Sequence, residues 1–138
     1  MNSAKSTFDQ SARSVTVLRN MLSSTNLGEL PWTRWEQPGR AGADIYPLFT
    51  AAEPQTATAF LTRLGAGAHG DLHEHLGYEL MLVLAGELVN DNGDRYRTGD
   101  LVIEQPGSVH RVSSETGCVV LGVRAAPTRP IPADEPAE

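Results

Sequence analysis

Three of the four histidines of this 138-residue chain, His69, His73 and His75, lie in one short segment. If that segment is a strand, His73 and His75 project from the same face, because alternate side chains of a strand point the same way. Glu79 has the same parity, and His110 is a third imidazole that could come from a neighbouring strand. Imidazole nitrogens and carboxylate oxygens suit first-row divalent metals. These residues predict a metal site with coordination positions left open for water or substrate.

The secondary-structure elements that hold these residues can be predicted from the pattern of hydrophobic residues along the chain. Short apolar or alternating runs are separated by turn residues, and no stretch has a convincing helical period. Asn92-Gly93 favours a hairpin turn, because both residues tolerate a positive φ. The sequence predicts an all-β barrel or sandwich, with strands over 45–49, 58–64, 79–84, 87–90, 95–97, 101–104, 111–113 and 118–124.

The two ends of the chain differ in composition from its middle. Residues 1–27 are rich in Ser, Thr and Asn, and their apolar patch at 15–22 could be a short helix or an added strand. Residues 127–138 hold four prolines among three acidic residues, a composition typical of an extended tail. We expect a short N-terminal arm over 1–27, one barrel domain over 28–126 and a flexible tail over 127–138.

Charge and hydropathy exclude several classes of partner. The net charge is −6, from 17 acidic and 11 basic residues, which leaves no basic face for a nucleic acid. No apolar run approaches the roughly 20 residues of a membrane helix, so we expect a cytoplasmic protein without membrane contacts. Cys118 is the sole cysteine, which excludes an internal disulfide, and we expect it to be a small buried side chain.

The intervals between the candidate ligands resemble the first cupin motif. Every fixed position of that motif is filled, by Gly67, His73, His75, Glu79 and Gly86. Residues 99–110 resemble the second cupin motif, with both of its glycines and its histidine at the expected intervals. Two positions depart from this second motif: Gln105 stands where a proline is usual, and Ser114 where an asparagine is frequent.

This resemblance implies a cupin fold, the RmlC-like jelly-roll β-barrel, that binds one divalent metal ion. The implied ligands are His73, His75, Glu79 and His110. Iron(II) is the favoured ion, with zinc, manganese and nickel as alternatives. Glu79 is also a candidate catalytic base if it leaves the metal during turnover.

The alternation of side chains along the strands predicts which residues line the substrate pocket around this ion. Met81 and Val83 share the parity of Glu79 and should form an apolar wall, while His69 should lie on a loop at the barrel mouth. On the preceding strand the inward set should include Phe60 and Thr62. Tyr78 should pack outside the barrel or at a subunit contact, and Trp32 and Trp35 should cover the flank of the barrel. Arg124 should solvate a strand end, with the anchoring of an anionic substrate as the alternative.

The chain is similar, over about residues 35–124, to the cupin half of ChrR-type anti-sigma regulators. The similar features are Trp35, Pro38-Gly39, residues 45–48 and the segment 114–118. Those regulators also hold zinc through cysteines and histidines in a helical N-terminal domain that grips the sigma factor. Because no cysteine or histidine precedes His69, sigma-factor binding is not carried over.

The same cupin subgroup also looks like small dioxygenases that cleave carbon–carbon bonds in diketones or aromatic ketones. We therefore expect a metal-dependent dioxygenase that acts on a small organic substrate. The alternative is a metal-bound ligand sensor or regulatory binding module. In either case the resemblance, and the need to cover edge strands, lead us to expect a homodimer.

Overall fold

The computed structural model describes residues 8–10, for their backbone alone, and residues 14–132. Strands and one short helix make up the regular structure of these ranges, which confirms the predicted all-β class. The elements are β1 (Phe8–Gln10), β2 (Thr16–Leu18), α1 (Ser24–Gly28), β3 (Thr33–Arg34), β4 (Ala41–Thr50), β5 (Thr58–His69), β6 (His73–His75), β7 (Glu79–Asn90), β8 (Arg95–Arg97), β9 (Leu101–Glu104), β10 (Val109–His110), β11 (Val112–Ser114), β12 (Cys118–Arg124) and β13 (Thr128–Pro130).

The chain divides into two compact units, residues 1–31 and residues 32–138. In the first unit β1 pairs antiparallel with β2, so part of the apolar patch at 15–22 is an added strand. Helix α1 follows, and the Ser23 hydroxyl accepts a hydrogen bond from the Asn26 amide at its N-terminus. No helix within the described ranges combines the length and the hydropathy that crossing a bilayer requires.

The second unit is built on one large antiparallel sheet. Its strands follow the order β11-β7-β12-β5-β4-β3, with β8 and β9 also paired to β7. Strand β11 pairs with both β5 and β7, which closes a ring of four strands. The core between these strands is apolar and contains Ala43, Leu64, Ala68, Met81, Val83, Leu88, Cys118 and Val120.

Strand β7 runs unbroken where the sequence predicted two strands, 79–84 and 87–90. Gly86 lies between those segments with φ at +78°, a conformation that residues with a Cβ rarely adopt. A Cβ there would meet the backbone of Gly117 and Cys118, so glycine allows β12 to approach closely. The pairing of β7 with β12 also shifts register between Val119 and Val120. A long strand can therefore bend across the barrel without ending.

A second sheet holds the segment that contains the histidine cluster. Its order is β10-β6-β13, so β6 is the central strand. His110 of β10 lies directly opposite His73 of β6, which confirms that the third imidazole comes from a neighbouring strand. On the other side, Thr128–Pro130 pairs with β6, although the sequence assigned these residues to the flexible tail. Residues 133–138 of that tail lie outside the described residues.

Candidate metal centre

Three imidazoles meet inside the barrel. The side chains of His73, His75 and His110 are buried, and one ligand nitrogen from each lies within 4.8 Å of the other two. The alternation of β6 explains the pair on one strand, because Glu74 between them faces the other way and binds Arg129. The structure therefore brings together three of the four residues that the sequence nominated as ligands.

Hydrogen bonds orient two of these rings from behind. The Nδ1 atom of His73 lies 2.8 Å from the backbone carbonyl oxygen of Asp71. The Nδ1 atom of His110 lies 2.8 Å from Oδ1 of Asn90. Each partner is an acceptor, so each Nδ1 carries the proton, and the lone pair of Nε2 remains available for a metal.

Glu79 lies behind the third ring. Its Oε1 atom is 3.3 Å from Nδ1 of His75 and accepts a hydrogen bond of 2.8 Å from Nε of Arg124. The structure therefore places Glu79 against the ring of His75, outside the group of three ligand nitrogens. A carboxylate in that position fixes the ring and increases the basicity of its free nitrogen.

A carboxylate that the sequence analysis missed lies in front of the rings. Oε2 of Glu104 is 3.2 Å from Nε2 of His75 and 3.1 Å from Nε2 of His110. The two Nε2 atoms are themselves 3.0 Å apart. Atoms at such distances share either a proton on one of the ring nitrogens or a cation that lies among them.

These distances fit a divalent ion. Two ligands that are each about 2.1 Å from an ion, at a right angle to each other, lie about 3 Å apart. The triangle formed by His75, His110 and Glu104 has sides of that length. The other oxygen of Glu104, Oε1, is buried and has no hydrogen-bond donor among the described residues. A bound ion or a water on it would satisfy this oxygen.

The protonation states of the cluster also suit a cation. Burial lowers the pKa of His110 to about 4, against the opposing charge of Glu104. Burial likewise lowers the pKa of His73, against its bond to the carbonyl of Asp71. Burial disfavours ionisation of Glu104, but interactions with His75 and the other imidazoles outweigh it and hold its pKa below the ordinary value. Neutral imidazoles and an ionised carboxylate are the forms that bind metals.

Two of the three imidazoles also face a cavity. Its lining combines this polar end with apolar walls: Trp35, Arg40, Ala43, Phe60, Thr62, Leu64, Gly70, Asp71, His73, Glu79, Met81, Leu88, His110, Val112, Val120, Gly122 and Arg124. An ion held by the histidines would therefore be in reach of a molecule in this cavity.

The nominated pocket residues divide into two groups. Phe60, Thr62 and Met81 line the cavity. Val83 is 1% exposed and packs in the apolar core instead. His69 is the last residue of β5 rather than part of a loop, and its Nδ1 lies 3.0 Å from the carbonyl oxygen of Gly70.

Two side chains that were expected on the surface belong to the cavity. Arg124 lies against the ring of Phe60, with its Cζ 4.8 Å from the ring centroid, and binds the buried Glu79. Trp35 packs edge-on against Phe60, with 5.3 Å between ring centroids. Arg124 lies inward because the carboxylate of Glu79 and the ring of Phe60 are its partners. Trp35 lies inward because it packs against the same ring. Tyr78, in contrast, is exposed on the outer surface as expected.

The hydrophobic pattern of β9 explains why Glu104 was missed. In this strand the apolar residues Leu101 and Ile103 face outward, with 60% and 62% exposure, while Glu104 is buried. A prediction from hydrophobicity alone would point Leu101 and Ile103 into the core and Glu104 towards solvent. The position of Glu104 follows only from its pairing with Glu79 on β7.

A closed antiparallel barrel with a histidine cluster in its interior defines the class of protein: this is a cupin. Residues 21–127 match the ChrR cupin-like domain family. The match covers most of the chain, and the chain therefore belongs to that family.

Solved structures show the same fold. A cupin-like protein of unknown function from Ralstonia eutropha is 22% identical, with a TM-score of 0.61 over 67% of this chain and 60% of its own. The anti-sigma factor ChrR of Rhodobacter sphaeroides, solved in complex with SigE, is 29% identical, with a TM-score of 0.59 over 71% of this chain and 50% of its own. An acetylacetone dioxygenase from Acinetobacter johnsonii is 12% identical, with a TM-score of 0.70 over 77% of this chain and 75% of its own.

This chain thus spans about 60% of the Ralstonia protein and half of ChrR. No curated protein shows a significant match to it.

We predict that His75→Ala removes most of the bound metal and leaves the barrel folded, because the apolar core does not depend on the ion. Metal analysis and circular dichroism of the variant measure the two effects. Glu74→Ala is the matched control, since it changes the same strand on its opposite face and should keep the metal. Unfolding of His75→Ala, or full metal content in it, would contradict the assignment.

We also predict that metal binding resists acid more than ordinary imidazoles would allow. A free imidazole starts to compete for protons near pH 6.5, whereas burial lowers the pKa of His110 to about 4 and that of His73 in the same direction. Zinc affinity, measured by chelator competition, should fall less between pH 6.5 and about 5 than three imidazoles of ordinary pKa would give, and should fall further towards pH 4. A loss of tenfold or more between pH 6.5 and 5.5 would refute this.

The metal-free protein should lose stability in the same range. The pKa of His110 is lower in the folded than in the unfolded chain, so the unfolded chain binds more protons between about pH 4 and 6.5. Circular dichroism at each pH therefore accompanies the affinity measurement, and only points at which the barrel is folded are compared.

Proposed function

We propose that this protein is a metal-dependent dioxygenase, of the non-haem iron type, that acts on a small organic substrate. The observation that carries the proposal is the convergence of His73, His75 and His110 at one end of a cavity with apolar walls. Ligands that approach an ion from the protein side leave its other positions facing the cavity.

Bound iron(II) would supply the one-electron and oxygen chemistry that protein side chains lack. The residues of the chain have other tasks. Arg124 and Glu79 hold the ring of His75, while Phe60 and Met81 give the cavity walls that exclude water. Glu104 is ionised and lies against Nε2 of His75 and Nε2 of His110, where it would help to hold the ion.

A comparison supports β-diketones as the first substrates to test. The acetylacetone dioxygenase from Acinetobacter johnsonii has the same fold. At 12% identity, the roles of its residues cannot be transferred to this chain. We therefore propose the class of reaction from the histidine cluster and the cavity of this chain. Glu79 lines the cavity and is the candidate catalytic base, although Arg124 binds its Oε1 atom.

A regulatory binding module is the second candidate, and one observation favours it. The family takes its name from ChrR, and the ChrR structure with SigE is 29% identical to this chain. In that case the cavity would bind a metal and a ligand, and a protein partner would respond. Such a protein would bind substrates of the first class without consuming oxygen.

We further propose a cytoplasmic homodimer. Leu80 of β7 and Ile103 of β9 are direct pairing partners, and both are exposed on the outer face of the barrel together with Leu101. A second copy would remove these apolar side chains from water. Sedimentation velocity tests this directly, and a monomer at micromolar concentration would refute it.

We predict that the iron-loaded protein takes up oxygen with at least one β-diketone or hydroxylated aryl ketone, tested with and without a carboxylate group. Glu104→Gln should lower the affinity for iron, because it removes the negative charge beside Nε2 of His75 and Nε2 of His110, and oxygen uptake should fall with it. Glu87→Gln, which changes an acid in an ion pair with Arg95 at the surface, is the control and should keep full activity. An iron-loaded protein inert towards every substrate would favour the regulatory module.

A further inference from the structure

Arg124 is the last residue of β12, and its side chain points towards the cavity. Side chains alternate along this strand, so Val120, Gly122 and Arg124 share one face, and all three line the cavity. Gly122 leaves room there, because a Cβ on it would lie 3.1 Å from Oε2 of Glu79 and 3.2 Å from the ring of Phe60. The strand therefore brings a positively charged group into the same space as this ring and this carboxylate.

The terminal nitrogens of Arg124 are unpaired and accessible. Its Nε atom donates to Oε1 of Glu79 at 2.8 Å, and among the described residues neither Nη1 nor Nη2 has an acceptor. The buried side-chain atoms that lack a partner in those ranges are Nη1 of Arg40 and Oε1 of Glu104, so the nitrogens of Arg124 are not sealed in the protein. The side chain of Arg124 is 16% exposed, against 7% for that of Arg40. A molecule in the cavity that Arg124 lines can therefore reach these donors.

Two contacts hold the guanidinium group of Arg124 in place. The bond to Glu79 fixes Nε, and the ring of Phe60 lies against the group, 4.8 Å from Cζ to the ring centroid. Trp35 packs edge-on against that ring and supports it. The edge that carries Nη1 and Nη2 remains, and this pair of parallel donors matches the two oxygens of a carboxylate.

Glu79 compensates the charge of Arg124 only in part and links it to the histidine cluster. Its Oε1 atom accepts the bond from Arg124 and also lies 3.3 Å from Nδ1 of His75, so one oxygen serves two partners. A single side chain thus separates the guanidinium from a ring of the candidate metal site. A small molecule that is anchored at Arg124 would be in reach of an ion held by the histidines.

We propose that Arg124 is a substrate-recognition residue whose Nη1 and Nη2 atoms donate to a carboxylate of the substrate. The substrate class is then a small keto acid rather than a neutral ketone. Its carboxylate binds Arg124, its hydrocarbon part lies against Phe60, and its keto oxygens face the histidine cluster. This inference rests on the proposed function, because it takes the cavity as the substrate site.

The test compares two probes that differ in one charge: succinylacetone and its methyl ester. Both carry the same β-diketone, so they chelate an ion equally, and a short methylene chain separates the diketone from the carboxylate or the ester. The protein is loaded with zinc, which does not change oxidation state, so calorimetry measures binding without turnover. We expect the acid to bind about tenfold or more tightly than the ester, the effect typical of a hydrogen bond to a charged group.

The double variant Arg124→Met, Glu79→Gln removes both charges of the pair together, so neither partner is left unpaired. The amide of Gln keeps an acceptor for Nδ1 of His75. Metal content is measured for each variant, Kd values are compared at full zinc loading, and the preference for the acid should fall below about twofold. Arg124→Lys keeps the charge but loses the planar pair of donors, so its preference should be intermediate. This single variant also tests the proposal if the double variant does not fold.

The chain offers a matched control outside the cavity. Arg63 binds Asp44 at 2.8 Å and lies over the ring of Trp32, 4.7 Å from Cζ to the ring centroid, but its side chain is 39% exposed. Arg63→Met, Asp44→Asn removes the same charges from the same kind of pair. This variant should keep the full preference for the acid.

Two results would overturn the proposal. The first is equal affinity, or no affinity, of the natural protein for the two probes. The second is a preference for the acid that survives unchanged in the double variant and in Arg124→Lys, which would assign it to another cation. Oxygen uptake is measured separately with iron. A preference that depends on Arg124, in a protein that consumes no oxygen, would reject the dioxygenase and leave the recognition site standing, whereas oxygen uptake without such a preference would do the reverse.

Discussion

The candidate metal site depends on three polar atoms that lie within hydrogen-bond distance of one another. Nε2 of His75, Nε2 of His110 and Oε2 of Glu104 lie 3.0 to 3.2 Å apart. The two rings cannot easily turn away, because acceptors behind them fix both Nδ1 atoms. The three atoms can therefore share a cation or a proton, and the surrounding hydrogen bonds determine where it lies.

Hydrogen bonds and ion pairs also connect the histidine cluster to the wall of the cavity. Arg124 binds Glu79, which orients His75, so a residue in the cavity wall is linked to a ligand of the metal. Asp71 has two roles, since its backbone carbonyl orients His73 while its carboxylate holds Arg40. The histidine cluster and the cavity wall therefore share a framework of buried polar contacts, which are stronger there than in water.

Much of this could be predicted from the sequence, and the rest could not for identifiable reasons. The spacing of His73 and His75 predicted that both side chains lie on the same face of a strand, and the structure agrees with this local rule. The positions of Glu104 and Arg40 depend on partners that are far away along the chain, and a local sequence pattern does not reveal such partners. In β9 the pattern even pointed the wrong way, because exposed Leu101 and Ile103 occupy the face that a hydrophobic reading assigns to the core.

The pairing of Thr128–Pro130 with β6 has a consequence for how the protein is made. Before these residues emerge from the ribosome, β6 has a partner on one side only, and half of its backbone groups face solvent. The strand that bears two of the three imidazoles is thus completed only after residues 128–130 have been made. A metal site built on this strand would then reach its final form only once translation has passed residue 130.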